Sequence, residues 1–291
     1  MVTELRAELV LDARATLGEG PVWDADAGVL WWVDIEARLI HRFDPATGAD
    51  SSIETASMVG AVALRARGGL MAALSDGVYT VEFGDASLTP FAALGEPSHV
   101  RSNESKCDPT GRFLVGTMAY DFAPIGGLYS IEANGSVRRL LDRLSIANGM
   151  AWSTDGSTFY YIDSPLRRVD AYDYDLASGS IARGRAHLTF DDTVAKPDGM
   201  AIDAEGGLWI AFWDAAEVRR YGPDRSVDVV ARVAATQVTS AVFGGPDLRD
   251  LYITTATSGL SEAQLSEQPE AGGLFRARIP VPGLLPDRFA G

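Results

Sequence analysis

One phrase recurs through the chain with a single variable slot. Glu19-Gly-Pro-Val-Trp23-Asp24 returns as Asn148-Gly-Met-Ala-Trp152-Ser153 and as Asp198-Gly-Met-Ala-Ile202-Asp203. Each copy runs through a turn into an apolar stretch: LWWVD, FYYID, LWIAF. Gly60-Ala-Val-Ala-Leu64, Asn103-Glu-Ser-Lys-Cys107 and Thr239-Ser-Ala-Val-Phe243 fit the same frame more loosely. The apolar stretches begin near Leu30, Leu70, Phe113, Phe159, Leu208 and Leu251, a period of roughly 40–50 residues, the range of β-propeller blades. Within a unit, β-branched and aromatic residues are cut by Asp76-Gly77, Asn134-Gly135 and Asp155-Gly156, the turn chemistry of hairpins. Helical stripes are missing, which makes helical solenoids and βαβ folds poor fits. The expected fold is all-β, a six-bladed β-propeller with a central divalent-metal site, spanning residues 1–291 as a single domain. A ring leaves no open sheet edge. The segment Glu8–Leu11 is expected to complete the last blade, near Gly273–Ile279.

A chain of 291 residues suggests two domains by length alone, but closed β architectures run long as one unit, and no Pro/Ser linker breaks the period. A net charge of −15 argues against nucleic acid or an anionic membrane as partner, since both require basic patches. The first twenty residues lack the apolar core of a signal peptide, and no apolar stretch is long enough to span a bilayer. Cys107 is the single cysteine, so an intramolecular disulfide is excluded, in keeping with a reducing cytoplasm.

The slot reads Glu19, Gly60, Asn103, Asn148, Asp198, Thr239. In a closed ring, one position repeated is one layer around the axis. Glu19, Asn103, Asn148 and Asp198 would then aim oxygen atoms at a common centre, a place for a hard cation. His41, His99 and His187 show no ligand spacing, which disfavours a nitrogen- and sulfur-ligated zinc site. Carboxylates with amide oxygens suit Ca²⁺, Mg²⁺ or Mn²⁺, and few protein ligands leave positions open for catalysis. One such residue beside a glycine is an ordinary turn former. Three in register on a buried axis would be costly without a partner.

LGEGPVW, ANGMAW, KPDGMAID, GRFLVGTM and TSAVFGGPDLRDLYITTA together resemble the SMP-30/gluconolactonase/luciferin-regenerating-enzyme family, which includes regucalcin and bacterial sugar lactonases. The resemblance covers nearly the whole chain. It implies a six-bladed propeller with one divalent cation near its centre, calcium first, with Mn²⁺, Mg²⁺ or Zn²⁺ as alternatives. By the same resemblance Glu19, Asn148 and Asp198 are the metal ligands, and Arg101 and Asn103 bind substrate oxygens. Two positions depart from the family pattern. Asn103-Glu104-Ser105 stands where Asn-Asp-Gly is usual, and Ala119-Tyr120-Asp121 follows GTM where animal members place a substrate-contacting Glu. Tyr120, as a hydrogen-bond donor, is therefore a further candidate for substrate binding, with Asp121 in place of that Glu as the alternative.

The resulting expectation is a metal-dependent hydrolase that opens small sugar lactones to aldonic acids by water attack on the carbonyl. Asp198 is the expected general base, and the partner is a small-molecule sugar lactone. Two alternatives share the metal site: a phosphotriesterase-like hydrolase and a non-enzymatic calcium-binding regulatory protein. Cys107 falls where other units carry Trp, Leu, Ile or Phe and reads as a core thiol. Trp213, at a strand end, is a candidate pocket wall. Ser102, Ser105, Ser164 and Ser240 have no visible base partner, which disfavours a serine nucleophile.

Overall fold

In a computed structural model, the chain is described over residues 2–191 and 195–291, and its strands form six sheets. Blade 1 is Gly18–Asp24, Val29–Asp34, Leu39–Asp44 and Ala49–Glu54. Blade 2 is Val59–Leu64, Leu70–Leu74, Gly77–Glu82 and Ser87–Ala92. Blade 3 is Val100–Cys107, Phe113–Ala119, Gly126–Ile131 and Val137–Leu144. Blade 4 is Ala147–Trp152, Thr158–Asp163, Arg168–Asp175 and Ser180–Thr189. Blade 5 is Lys196–Ile202, Leu208–Trp213, Glu217–Tyr221 and Val227–Arg232. Blade 6 is Val238–Gly244, Asp250–Thr255 and Leu274–Arg278, completed by Glu8–Leu11. The closing strand is thus the one expected from the sequence.

The first strand of each blade touches its counterparts on both sides, so the six close a ring. Six apolar clusters fill the six gaps between neighbouring blades. Between blades 1 and 2, for example, Trp31, Val33 and Ile40 meet Val62, Leu70 and Val81. Between blades 3 and 4, Leu114 and Leu128 meet Trp152, Phe159 and Tyr174. Each large side chain so buried contributes roughly 1.5–3 kcal/mol.

Three features go beyond the sequence reading. Thr3–Arg6 lies parallel along Val227–Arg232 as a fifth strand of blade 5. A short helix, Glu262–Glu267, sits between the second and third strands of blade 6 with no buried residue. The last residues run across one end of the ring: Gly283 bridges Asp203 of blade 5, and Phe289 bridges Arg65 beside blade 2. Among the described residues, no helix is long and apolar enough to cross a membrane.

Candidate metal and substrate site

Every first strand slips register against its neighbour at the slot. The shifts fall between Glu19 and Val22, Val59 and Ala61, Ser102 and Ser105, Asn148 and Met150, Pro197 and Met200, and Val238 and Ser240. The repeated phrase is therefore a β-bulge, an extra residue that bends the strand and re-aims a side chain. The glycine after the slot follows from crowding. A Cβ on Gly149 would lie 2.8 Å from Asp198 O, and one on Gly199 only 2.7 Å from Ser240 Cα. Neighbouring first strands approach too closely there for a side chain.

Glu19, Asn103, Asn148 and Asp198 come together as the sequence suggested, lining one cavity of about 250 Å³. All four are buried. Gly60 brings no side chain, and Thr239 is turned into the wall, its hydroxyl donating to Gly18 O at 2.6 Å. The strands that carry Glu19 and Asn148 are fixed by the acids that end LWWVD and FYYID. Asp34 accepts the Leu17 N–H at 3.0 Å, and Asp163 accepts the Ile146 N–H at 2.9 Å.

A hydrogen-bond relay orients the amides. Arg101 Nη1 donates to Asn103 Oδ1 at 2.7 Å. Asn103 Nδ2 donates to Ala147 O at 2.8 Å and to Asn148 Oδ1 at 2.9 Å. Asn148 Nδ2 donates to Ser164 Oγ at 2.8 Å, and Ser164 Oγ to Pro197 O at 2.6 Å. Asn148 Nδ2 is thereby committed to Ser164, and its Oδ1 is held beside Asn103.

The carboxylates are unsatisfied. Among the described residues, Asp198 Oδ1 has no hydrogen-bond partner although buried, and Glu19 Oε2 accepts only from its neighbour Gly20 N, at 3.0 Å. Burial, then the charge of Glu104, pushes the Glu19 carboxyl up to about 8. Burial, then Glu19 and Glu104, drives Asp198 well above the usual carboxylate range. Two buried acids that resist ionisation beside an oriented amide oxygen fit a dication, whose charge would offset both costs. Among the described residues no cluster of three His, Cys, Asp or Glu side chains gathers for a metal, so the amide of Asn148 is integral to this candidate set.

Arg101 and Asn103 line the same cavity. Tyr120 does not line it and is 46% exposed. Phe122 and Trp213 form walls instead, with Met118 and Ile146, while Glu36, Lys196 and Ser258 stand as polar groups around the cavity. Glu36 and Lys196 were not singled out from the sequence, yet for Lys196 a signal existed. Leu17, Arg101, Ile146 and Lys196 all precede their slot by two residues, and all four line the cavity. Cys107 is buried and its thiol is pushed well up by burial, as suits a core residue.

The family model described as an SMP-30/Gluconolactonase/LRE-like region matches residues 17–257. The chain belongs to this family. Regucalcin of Xenopus laevis is 35% identical over 299 residues, covering 100% of both chains. YvrE of Bacillus subtilis, named as a candidate sugar lactone lactonase, is 38% identical over 288 residues, covering 98% of this chain and 99% of its own. Among solved structures, the calcium-binding protein regucalcin of Agrobacterium tumefaciens superimposes with a TM-score of 0.93 at 28% identity over 100% of both chains.

Proposed function

We propose that this family member is a sugar lactonase, hydrolysing small aldonolactones to aldonic acids at the mouth cavity. The observation that carries the reading is the joining of an Arg101–Asn103 pair to the Glu19, Asn148 and Asp198 set within one cavity of about 250 Å³. Its similarity to a candidate sugar lactone lactonase supports the substrate class. The cation is calcium by preference, given the calcium-binding name of the structural neighbour. Held by Glu19, Asn148 and Asp198, a dication supplies Lewis acidity to a lactone carbonyl.

The chain's own residues then have distinct tasks. Arg101 presents a guanidinium, already aligned on Asn103, to the hydroxyl or carbonyl oxygens of the substrate. Asp198, with a free Oδ1, takes the proton from the attacking water as a new C–O bond forms at the carbonyl carbon. The ring C–O bond breaks, the departing ring oxygen takes up a proton, and the new acid ionises, so one proton is released per turnover. Ser164 is committed to Asn148 and Pro197, with no base accepting its proton, and Cys107 lies in the core, so water attacks directly. Steady-state rates on five- and six-membered aldonolactones and on an activated organophosphate, after chelation and re-addition of single metals, test this. Metal-restored lactone hydrolysis is expected. Cleavage of the organophosphate alone, or metal binding without turnover of either class, would refute it.

A further inference from the structure

Three places after the slot, five of the six first strands carry Val22, Ala63, Ala151, Ala201 and Val242. Blade 3 has Lys106 there. Its Nζ donates to Met150 O at 3.0 Å and to Met200 O at 2.8 Å, so one ammonium joins the first strands of blades 3, 4 and 5. Met150 and Met200 each stand two residues after a slot, where register resumes past the bulges that carry Asn148 and Asp198. Each bulge is thus held on both sides. Before the blade 4 slot, Ala147 O accepts from Asn103 Nδ2 at 2.8 Å; before the blade 5 slot, Pro197 O accepts from Ser164 Oγ at 2.6 Å. After both slots, the holder is Lys106.

An ammonium in this position is not a solvated surface charge. It is half-buried, and it borders a second cavity of about 420 Å³ at the opposite end of the axis. Access to that cavity lets it keep partial hydration, which limits the cost of burial. Two backbone carbonyls satisfy two of its three donors.

We propose that Lys106 is a positioning residue for the cation site: by fixing the two carbonyls behind the bulges, it sets the aim of Asn148 and Asp198. This rests on the reading that Glu19, Asn148 and Asp198 hold a dication. Two roles for Lys106 predict opposite signs. As a bare charge it would repel a dication, and its removal would tighten binding. As a strut its removal lets both bulges relax, and loss of a residue that orients ligands typically weakens metal binding about 10–100-fold.

The test is calorimetric titration of Ca²⁺ into chelated wild-type, Lys106→Met, Lys106→Ala and Lys106→Arg proteins, with circular dichroism and thermal melting of each metal-free form. Alanine already occupies three of the equivalent positions, Ala63, Ala151 and Ala201, so Lys106→Ala decides the matter should Lys106→Met not fold. Lys106→Met and Lys106→Ala are expected to keep the β spectrum and to raise the Kd about 10–100-fold. Lys106→Arg, which can still donate to both carbonyls, is expected to recover most of the affinity. Unchanged or tighter binding in the folded deletion variant would overturn the proposal and leave the site reading intact. A wild-type protein that binds no divalent cation would overturn the site reading itself, and this proposal with it.

Discussion

The two ends of the propeller axis are built from the same six strands and differ in what they ask of a ligand. The far end holds the larger cavity, about 420 Å³, walled by Met150, Trp152, Ile202 and Phe243 and covered by Leu284, Leu285 and Pro286. Its carboxyl Asp287 is raised only to about 6, by burial and by Asp108. The mouth is smaller, about 250 Å³, yet Glu19 rises to about 8 and Asp198 still lacks a partner for Oδ1. Volume therefore does not mark the site here. What marks it is concentrated polar demand that the protein leaves unmet. The contrast comes from residues at the slot and two places before it, set against residues three and four places after it that, Lys106 apart, are small or apolar.

The largest expected effect at the mouth is that of Asp198→Ala. On the proposed reading it removes a metal ligand and the general base together, so Ca²⁺ binding by calorimetry should be lost and kcat/KM for an aldonolactone should fall on the order of 10³-fold or more. Retention of either would break the contrast between the ends. Arg101→Ala should act more narrowly. Ca²⁺ affinity stays near wild type, while kcat/KM drops about 10–100-fold, the usual worth of a hydrogen bond to a charged group. Loss of metal with lactone affinity kept would mean that Arg101 serves the cation instead.

A smaller effect concerns pH. In the metal-free protein the folded-state pKa of Glu19 is about 8, against 4.5 for an unperturbed glutamate. Between those values the folded state binds more protons than the unfolded chain, so this group's contribution to stability falls as pH rises through that window. Melting temperature in chelator, followed from pH 5 to pH 8, should fall less for Glu19→Gln than for wild type. At pH 8 the variant should gain ~1 kcal/mol or more, about 2–4 °C for a chain of this size class. An equal slope in both proteins would show that Glu19 ionises normally. Saturating Ca²⁺ should flatten the wild-type slope, because it holds the carboxylate ionised. The smallest effect belongs to the far end. Leu285 is 56% exposed, so Leu285→Ser should change stability by no more than about 0.5 kcal/mol and leave lactone kinetics unaltered. A changed kcat there would show that the two ends communicate.

Much of this molecule was legible in its sequence because both fold and site are written in one repeat. In blades 1, 4 and 5 the slot phrase marks its bulge with a polar residue and then a glycine that lets the next strand come close, whereas blades 2, 3 and 6 bulge at the same place with no glycine after the slot. Closure by Glu8–Leu11 was legible from strand pattern and chain length. Other features left little trace. Thr3–Arg6 is a short, largely exposed strand whose parallel partner lies more than 200 residues away, and local pattern does not report such pairings. Lys106 reads in isolation as an ordinary solvated charge, and only the ring brings Met150 O and Met200 O within its reach. Tyr120 was considered because it follows GTM, but the chain turns there. Phe122, in a left-handed conformation at φ 60°, is the residue of that turn that lines the cavity.

The clasp at the amino-terminal end has a consequence for how the protein is made. Thr3–Arg6 pairs with Val227–Arg232, and Glu8–Leu11 with Leu274–Arg278. On the ribosome, a segment that emerges ahead of every blade is therefore among the last to be paired. Each blade can assemble as its hairpins appear, and all four of Glu19, Asn103, Asn148 and Asp198 are synthesised well before Leu274. Yet the ring around them cannot shut until the third strand of blade 6 arrives and receives Glu8–Leu11. A chain halted short of that strand would hold finished blades around an open seam, with Glu19, Asn103, Asn148 and Asp198 translated and its mouth unformed.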